Sequence, residues 1–345
     1  MSAGSPVRIL IASALELEYV QRIAGIDDRI EVLYAPEILP VPRYTADHHA
    51  PRRDLTEAQL DQWRAMLASA DVSFDFDWWA PTDMPGNCPR LRWVQATSAG
   101  IGQFMERTGL DTTNITFTTA AGVHAIPLAE FALMGVLHFV KGMPSLERWQ
   151  RAHQWERYTT RQLHGRRVAV VGLGAVGRRV IDVFAALGAE VWAVGRDGRT
   201  YDVPSAAGIV TTSRMDEILP DTYALVLSCP LTRETEGLIS EQRLGLLPAG
   251  AVVVNIGRGQ VVDEPALIRA LKDQRLGGAC LDVFATEPLP ADSPLWDMSN
   301  VIVSPHSAST VDRENAALLD LFSENLRRWL SGLPLRNVYV PERGY

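Results

Sequence analysis

The feature that most limits what this chain can fold into is the stretch RVAVVGLGAVGRRV at residues 167–180. An apolar run leads directly into a G-x-G-x-x-G spacing, and an amphipathic helical pattern follows it. Gly172 permits a tight turn, Gly174 lets the backbone approach a pyrophosphate, and Gly177 allows close packing of the helix. Three glycines can also serve an ordinary tight turn, but here the strand, the helix and the next strand all fit. We therefore interpret the stretch as a dinucleotide-binding turn whose helix N-terminus stabilises phosphate charge.

The chain around and after this turn predicts a doubly wound sheet. Apolar runs separated by helix-sized intervals are typical of such a sheet, and there are six of them. The runs are RRVAVVGLG, AEVWAVG, YALVLSCP, GAVVVNIG, GGACLDVF and NVIVSPHSA. A long apolar helix is predicted before them, from Pro127 to about Lys141, with the proline in its first turn.

The first third of the chain predicts a second parallel sheet with crossover helices. Its short apolar runs are VRILIA (7–12), ADVSFDF (70–76), LRWVQATS (91–98) and ITFTTA (115–120). The stretch 34–54, YAPEILPVPRYTADHHAPRRD, is rich in proline and polar residues, and we interpret it as a surface loop or lid. An amphipathic segment from Asp312 to about Leu330 is predicted to cross back to this first domain. We expect two related sheets with a cleft between them.

Length and charge restrict the class of protein further. With 345 residues the chain exceeds the size at which one hydrophobic core normally stops growing, so we expect two domains. The 33 basic and 41 acidic side chains give a net charge of -8, which argues against a nucleic-acid or anionic-membrane partner. No segment has the pattern of a signal peptide or of a membrane span. We expect a soluble, cytoplasmic protein.

The strand after the glycine turn ends at Val194, where NAD-binding folds usually carry an acidic residue for the ribose hydroxyl groups. Gly195 stands at that position, and Arg196 and Arg199 follow it. The planar donors of arginine match phosphate oxygens, so we expect a 2'-phosphate and therefore NADP(H) as the preferred cofactor. Two alternatives stay open: the arginines are solvated loop residues, or Asp197 turns inward and serves NAD(H).

Three ionisable residues follow later strands of the same predicted sheet, at the edge where open α/β sheets bind ligands. Arg258 comes after AVVVNI, Glu287 after CLDVF and His306 after NVIVS. Reduction of a 2-keto acid needs a cation to hold the carboxylate, which suits Arg258, and a general acid near neutral pH, which suits His306. Glu287 would orient the imidazole and favour its charged form. A histidine alone in such a turn is more often structural, but the three together predict a catalytic set.

The cysteines and the other histidines indicate no further site. Cys88, Cys229 and Cys280 are too few and too scattered for a disulfide framework or a metal cluster, so we expect buried thiols and no metal. The remaining histidines lack a comparable setting, and we interpret them as surface or core residues. They are His48, His49, His124, His138, His153 and His164.

Several motifs together resemble the D-isomer-specific 2-hydroxyacid dehydrogenase family over nearly the whole chain. They are VVGLGAVGRRV, CPLTRETEGLI, LLPAGAVVVNIGRGQVVDEPALIRAL, GGACLDVFATEPLPADSPLW and NVIVSPHSAST. The resemblance implies an α/β fold in which a Rossmann dinucleotide-binding domain (123–310) is inserted in a discontinuous flavodoxin-like substrate domain (1–122 and 311–345). It also implies that the catalytic set falls on Arg258, Glu287 and His306, and that the protein is a homodimer built around its cofactor domains.

The resemblance also implies binding residues. Backbone amides of the TSAGI loop, at Ala99 and Gly100, would bind the substrate carboxylate with Arg258, and Asp282 would contact the nicotinamide carboxamide. The stretch GRDGR is similar to the corresponding loop of NADPH-using glyoxylate/hydroxypyruvate reductases. The full predicted cofactor-binding set is Gly172, Leu173, Gly174, Ala175, Val176, Gly177, Arg196, Arg199, Cys229, Pro230, Thr235, Ile256, Gly257, Asp282, His306 and Ala308.

The chain departs from the family pattern at two places. The family often has glycine two residues after the histidine, where this chain has Ala308, so the carboxamide contact there stays open. Trp149 and Trp155, in RWQRAHQWER, match no substrate-defining pattern, and we interpret them as core or dimer-contact residues.

The expected function is reduction of small 2-keto acids, such as glyoxylate or hydroxypyruvate, to D-2-hydroxy acids with NADPH. Formate dehydrogenases share the expected fold but resemble one another in having Gln where this chain has Glu287. One alternative is an NAD(H)-dependent dehydrogenase of another 2-hydroxy acid. A second is a non-catalytic, cofactor-sensing protein like the transcriptional corepressors related to the family, which can retain the whole catalytic set.

Overall fold

The structure is a computed structural model, and it describes residues 5–341. Ala125–Ser309 form one compact unit, and the described residues on either side of it form another. We call these the inserted unit and the outer unit. The predicted domain boundaries lie within two residues of these divisions, and residues 1–4 and 342–345 of the predicted substrate domain lie outside the described residues.

The outer unit contains a five-stranded parallel sheet in the order β2-β1-β3-β4-β5. Its strands are β1 (Val7–Ile11), β2 (Ile30–Leu33), β3 (Val72–Phe74), β4 (Trp93–Gln95) and β5 (Thr116–Thr118). The helices between them are α1 (Leu17–Ala24), α2 (Glu57–Ser69), α3 (Met84–Asn87) and α4 (Gly102–Thr108). This strand order is flavodoxin-like, and the chain reverses its winding direction between β1 and β3. Thr56 and Gln59 form a capping box that starts α2.

The inserted unit contains a seven-stranded parallel sheet in the order β12-β11-β10-β9-β6-β7-β8, the Rossmann order with an extra edge strand. It begins with α5 (Ala125–Val140) and α6 (Met143–Arg151). The strands are β6 (Arg167–Val171), β7 (Glu190–Gly195), β8 (Gly208–Thr211), β9 (Thr222–Leu227), β10 (Ala251–Asn255), β11 (Leu276–Leu281) and β12 (Val301–Val303). The helices between them are α7 (Ala175–Ala186), α8 (Glu241–Leu246) and α9 (Glu264–Lys272). Every residue of β9 and β10 is buried, because helices cover both faces of a parallel sheet.

The last helix, α10 (Glu314–Leu330), belongs to the outer unit, as the amphipathic pattern predicts. Its buried apolar face packs into the same cluster as β1 and β3. Phe322 lies against the rings of Phe74 and Trp93, with centroids 5.3 and 5.2 Å away. The chain therefore closes the core of the outer unit only after the inserted unit is complete.

Two strands were not predicted, and both lie at the edge of a sheet. β2 and β8 bring the sheets to five and seven strands, where the sequence predicts four and six. Their residues are mostly half-buried or exposed, so neither strand has the continuous apolar run that marks a central parallel strand. The helix predicted from Pro127 begins two residues earlier, at Ala125.

The interpretation of 34–54 as a surface loop is wrong for its middle. The stretch has no helix or strand, but Ile38, Asp47 and His48 are buried. The Asp47 carboxylate accepts hydrogen bonds from the backbone N–H and the side chain of Arg43, which also holds the pKa of Asp47 low, at about 2. The segment is packed against the outer unit rather than free, and its action as a lid stays a prediction.

The cysteines and tryptophans also have defined environments. Cys88, Cys229 and Cys280 are buried and unpaired, as expected. Trp155 is 96% exposed, so it is not a core residue, whereas Trp149 packs edge-on against Tyr158 at 5.0 Å.

Two other kinds of feature are absent from residues 5–341. No three His, Cys, Asp or Glu side chains in this range are placed to hold a metal ion. No single helix in it is long and apolar enough to cross a membrane, and only the bent pair of α5 and α6, at 64°, passes by length and composition.

Candidate active site

The glycine turn has two glycines that the protein itself requires and one that leaves open space. Gly172 has φ of 100°, and a Cβ there would lie 2.7 Å from the backbone nitrogen of Cys229. A Cβ on Gly177 would lie 1.8 Å from the carbonyl oxygen of Gly172. Gly174, the N-cap of α7, would meet nothing within 4 Å. The open N-terminus of α7 therefore fits a pyrophosphate approaching the backbone.

Six candidate segments lie along one edge of the inserted unit, because they follow neighbouring strands of a parallel sheet. The turns after β6, β7, β9, β10, β11 and β12 carry all the predicted catalytic and cofactor-binding residues of this unit. Leu173, Val176, Thr235 and Ala308 are half-buried; Ala175, Pro230 and Arg199 are exposed; and Cys229, Ile256 and Gly257 are buried. The structure thus brings this predicted set together at the carboxyl edge, where open α/β sheets bind ligands.

The loop after β7 contains Arg196 and Arg199, and a cavity of about 430 Å³ lies beside the first of them. Arg196 lies in the cavity wall, with its Nε 3.7 Å from a carboxylate oxygen of Glu234. The backbone N–H of Arg196 donates to the Tyr201 hydroxyl at 2.9 Å, which places the tyrosine ring against Gly195. A Cβ on Gly195 would lie 2.3 Å from that ring, so an acidic side chain does not fit beside it. Arg199 makes no hydrogen bond or ion pair with residues 5–341.

Asp197 is engaged elsewhere in the same loop. Its carboxylate accepts hydrogen bonds from the hydroxyls of Thr212, at 2.7 Å, and Ser213, at 2.5 Å. These hydrogen bonds, first that of Ser213, lower the pKa of Asp197. The Asp197 carboxylate therefore joins the loop after β7 to the segment after β8. This engagement disfavours the alternative that Asp197 binds a ribose hydroxyl.

Arg258 lies in a turn that its neighbours fix on two sides. The Asn255 side chain donates to the carbonyl oxygen of Arg258 at 3.0 Å and accepts from the Gly257 N–H at 3.1 Å. Gly259 packs so closely on the next loop that a Cβ would lie 1.8 Å from the carbonyl carbon of Phe284. Burial lowers the pKa of Arg258, and the charge of Glu287 opposes that shift. The guanidinium remains charged, since its ordinary pKa is far above neutral.

His306 and Glu287 form a hydrogen-bonded pair. The imidazole Nδ1 lies 2.8 Å from a carboxylate oxygen of Glu287, whose other oxygen accepts from the Phe284 N–H at 3.0 Å. Burial alone would raise the pKa of Glu287, but these two hydrogen bonds and the charges of His306 and Arg258 hold it below its usual value. Both side chains are partly exposed, so the second imidazole nitrogen is open to a ligand.

Asp282 holds the turn that carries His306. One carboxylate oxygen accepts from the Ser304 hydroxyl at 2.6 Å, the Ser307 N–H at 2.9 Å and the Ala308 N–H at 3.0 Å. His306 itself has φ of 52°, a conformation that costs energy for a residue with a Cβ and that persists where the surroundings enforce it. Asp282 therefore positions the imidazole of His306. The predicted contact of Asp282 with a nicotinamide carboxamide stays a prediction.

The loop after β4 belongs to the outer unit and is described by itself. Ala99 is half-buried and Gly100 is exposed, ahead of α4. Within residues 5–341 neither backbone N–H donates to an acceptor. Two adjacent free amides at the carboxyl edge of a sheet can accept an anionic ligand such as a carboxylate.

Sequence reasoning missed the residues that position the catalytic set. Asn255 and Gly259 fix the Arg258 turn, and Ser304 joins Asp282 in fixing the His306 turn. The sequence signal for a positioning role of these residues is weak, because Asn, Gly and Ser beside a strand end are also ordinary turn residues. Only the backbone geometry distinguishes the two roles.

The arrangement can perform proton transfer beside a bound anion. It offers a cation, an imidazole oriented by a carboxylate and a phosphate-binding turn on one sheet edge. The second imidazole nitrogen can donate a proton to a substrate oxygen, and Glu287 stabilises the charged imidazole before transfer.

Comparisons with known proteins agree with this geometry. A family model described as "D-isomer specific 2-hydroxyacid dehydrogenase, NAD binding domain" matches residues 133–308. The chain is 32% identical over 321 residues to the D-3-phosphoglycerate dehydrogenase of Mycobacterium tuberculosis (strain ATCC 25618 / H37Rv). That match covers 90% of this chain and 55% of the relative, so the chain spans little more than half of that protein's length.

Two solved structures are similar over their whole length. A D-isomer specific 2-hydroxyacid dehydrogenase from Xanthobacter autotrophicus Py2, in complex with NADPH and MES, is 29% identical with a TM-score of 0.77, over 99% of this chain and 100% of that one. An NADPH-dependent glyoxylate/hydroxypyruvate reductase from Sinorhizobium meliloti, in complex with NADP and sulfate, is 25% identical with a TM-score of 0.76, over 98% and 100%.

Proposed function

The chain belongs to the D-isomer specific 2-hydroxyacid dehydrogenase family, an NAD(P)-dependent class of oxidoreductases acting on small 2-keto and 2-hydroxy acids, and we propose that it is an NADPH-dependent reductase of glyoxylate, hydroxypyruvate or a close analogue. The observation that carries the proposal is the 2.8 Å bond between His306 and Glu287 on the same sheet edge as the glycine turn. A D-2-hydroxy acid would be the product.

In the proposed mechanism each residue has one task. Arg258 holds the substrate carboxylate with its fork of donors. In the outer unit, the free amides of Ala99 and Gly100 would offer hydrogen bonds to a carboxylate. When bound, a nicotinamide cofactor would supply the hydride that the ketone carbon receives. His306 gives its proton to the ketone oxygen, and Glu287 keeps the imidazole oriented and charged before that transfer.

The cofactor preference is part of the proposal. Arg196 and Arg199 would meet the 2'-phosphate of NADPH, while Gly195 leaves no acidic group for a ribose hydroxyl. The open N-terminus of α7 would receive the pyrophosphate. NADPH in the similar structure from Xanthobacter autotrophicus Py2, and NADP in that from Sinorhizobium meliloti, support this choice.

Assembly and location belong to the same proposal. We expect a homodimer formed through the inserted unit, which exposes Ile126, Met134 and Trp155. A cytoplasmic location stays a prediction.

One experiment tests the substrate and cofactor together. A panel of 2-keto acids is assayed in parallel with NADPH and NADH, and the dissociation constants of both cofactors are measured by fluorescence. Replacing both arginines, Arg196→Gln with Arg199→Gln, should weaken NADPH binding about tenfold or more, because charge-assisted hydrogen bonds to the phosphate are lost. NADH binding should stay nearly unchanged. An equal loss for both cofactors, or faster turnover with NADH, would contradict the preference.

A further inference from the structure

A second cavity lies at the amino-terminal edge of the seven-stranded sheet. Its volume is about 450 Å³. It is lined by Arg161, Arg166, Pro220, Asp221, Tyr223, Pro248 and Ala249. These residues precede or begin β6, β9 and β10, three neighbouring strands, whereas the glycine turn follows the other end of β6. Because β6 has five residues at about 3.3 Å each, the two edges are about 16 Å apart. The cavity is therefore separate from the proposed active site.

Two guanidinium groups converge on one ring in this cavity. The Cζ of Arg161 lies 5.6 Å from the centroid of Tyr223, and that of Arg166 lies 5.7 Å from it. Arg161 donates one hydrogen bond, to the carbonyl oxygen of Gly250 at 3.2 Å. The side chain of Arg166 and the hydroxyl of Tyr223 have no hydrogen-bond partner within residues 5–341. The cavity thus presents unused donors, and two like charges lie against one ring.

Among residues 5–341, no carboxylate forms an ion pair with either of these two arginines. Asp221, the acid in the cavity wall, accepts from Arg167 at 2.9 Å, and Glu190 accepts from the same guanidinium at 2.9 Å. Neither acid pairs with Arg161 or Arg166 in the described chain. The cavity is therefore locally positive in a chain of net charge -8, and the two guanidiniums would stabilise an anion bound between them and solvent.

We propose that this cavity is a binding site for a small polyanion that carries at least two carboxylate or phosphate groups. One anionic group meets Arg161 and another meets Arg166, each through charge-assisted hydrogen bonds, and the Tyr223 hydroxyl donates a further one. The volume matches that of sites for small metabolites, which are about 300–1,000 Å³. The phenol ring, covered by both guanidiniums, keeps them in place through cation–π contacts.

The test is calorimetric titration with citrate and, separately, inorganic pyrophosphate, at constant ionic strength. One series contains saturating NADPH, which would occupy the proposed cofactor turn and prevent anions from binding there. The other series contains no NADPH. Both series should show binding to the wild-type protein. Arg161→Gln and Arg166→Gln should each weaken it about tenfold, and the double variant should abolish it, because each change removes a charged donor.

Two control variants distinguish binding at this cavity from a non-specific attraction of anions to positive charge. Arg22→Gln with Arg64→Gln makes the same change of charge on helices of the outer unit and should leave binding unaltered. Arg161→Lys with Arg166→Lys keeps the charge but loses the fork of donors, so it should bind with intermediate affinity. Thermal unfolding in the absence of anion verifies that each variant folds.

Three outcomes would overturn the proposal. They are absence of binding to the wild-type protein, equal binding by the double Gln variant, and loss of binding whenever NADPH is saturating. A double Gln variant that changes oligomeric mass, in a protein that binds neither anion, would instead assign the cavity to contacts between copies of the chain. None of these outcomes depends on whether the protein reduces a keto acid.

Discussion

His306 and His48 both lie close to carboxylates, and their surroundings differ in one decisive respect. His306 bonds to Glu287 and is 46% exposed at its side chain, so its second nitrogen meets open space. His48 bonds through Nδ1 to the Ser13 hydroxyl at 2.6 Å, and its second nitrogen is buried without a hydrogen-bond partner. The first arrangement can exchange a proton with a ligand, whereas the second is enclosed by protein.

The charges around His48 do not reverse this conclusion. Burial lowers the pKa of His48 most strongly, while the charges of Asp75 and Glu314 act in the opposite direction, and His49 adds to the lowering. Burial also raises the pKa of Asp75. Both groups of the buried pair therefore favour their neutral forms. The comparison teaches that access to solvent, more than the presence of an acid, separates a candidate catalytic histidine from a structural one.

The largest effect is expected from removing His306, the exposed histidine of the two. His306→Ala should lower turnover by about 10² to 10⁴-fold, because general acid catalysis contributes that much. Cofactor affinity and the free energy of unfolding should change little, since the side chain is partly exposed. Steady-state kinetics, with cofactor titration and urea unfolding as controls, measure the three quantities. A variant with near-normal turnover would remove His306 from the mechanism.

Removing His48 should have the opposite profile. His48→Ala should lower the free energy of unfolding by about 1–3 kcal/mol, because it creates a cavity and leaves the buried Ser13 hydroxyl without its partner. Turnover per folded molecule should remain within a small factor of the wild type. Urea unfolding, and kinetics corrected for the folded fraction, provide the measurement. A large loss of turnover with unchanged stability would mean that His48 serves the chemistry.

The pH dependence of stability sharpens the same comparison. A histidine whose pKa is lowered by folding binds fewer protons folded than unfolded, so the protein should lose stability as the pH falls below about 6.5, the ordinary value. The slope from this one group is at most about 1.4 kcal/mol per pH unit. His48→Gln should flatten the profile between pH 6.5 and 5 relative to the wild type. Thermal unfolding of both proteins across this range tests this, and equal profiles would contradict the assignment.

The smallest expected effect concerns the acid beside His306. Glu287→Gln keeps a hydrogen-bonding group but removes the charge that favours the imidazolium. Reduction should then decline at a lower pH than in the wild type, along the alkaline limb of the rate profile. The wild-type carboxylate should stay ionised to below pH 4.5, because its pKa lies beneath that ordinary value. Rate profiles from pH 5 to 9 test the change, and identical profiles would separate Glu287 from the proton transfer.

Much of the fold could be predicted from local sequence patterns. Central parallel strands such as β9 and β10 are continuous apolar runs. The spacing of the glycines predicts both the geometry of the turn and a dinucleotide as its ligand. Arg258, Glu287 and His306 could be predicted because each follows such a strand, and parallel strands bring their ends to one edge.

Other features depend on contacts between distant segments. The surroundings of His48 combine Ser13, Asp75 and Glu314, which lie in separate parts of the chain, and no spacing rule connects them. The edge strands β2 and β8 lack the apolar run that would reveal them. The engagement of Asp197 by two hydroxyls after β8 also depends on a strand that was not predicted.

The close fit of Gly195 against Tyr201 has a consequence for redesign of the enzyme. Exchanging a glycine for aspartate at this position is the obvious single step towards a ribose-reading site. Here the new side chain would meet a ring 2.3 Å away, and the ring cannot withdraw without breaking its bond to the Arg196 N–H. A change from the proposed NADPH preference would therefore need two coordinated substitutions, at 195 and 201, because Tyr201 excludes an acidic side chain from position 195.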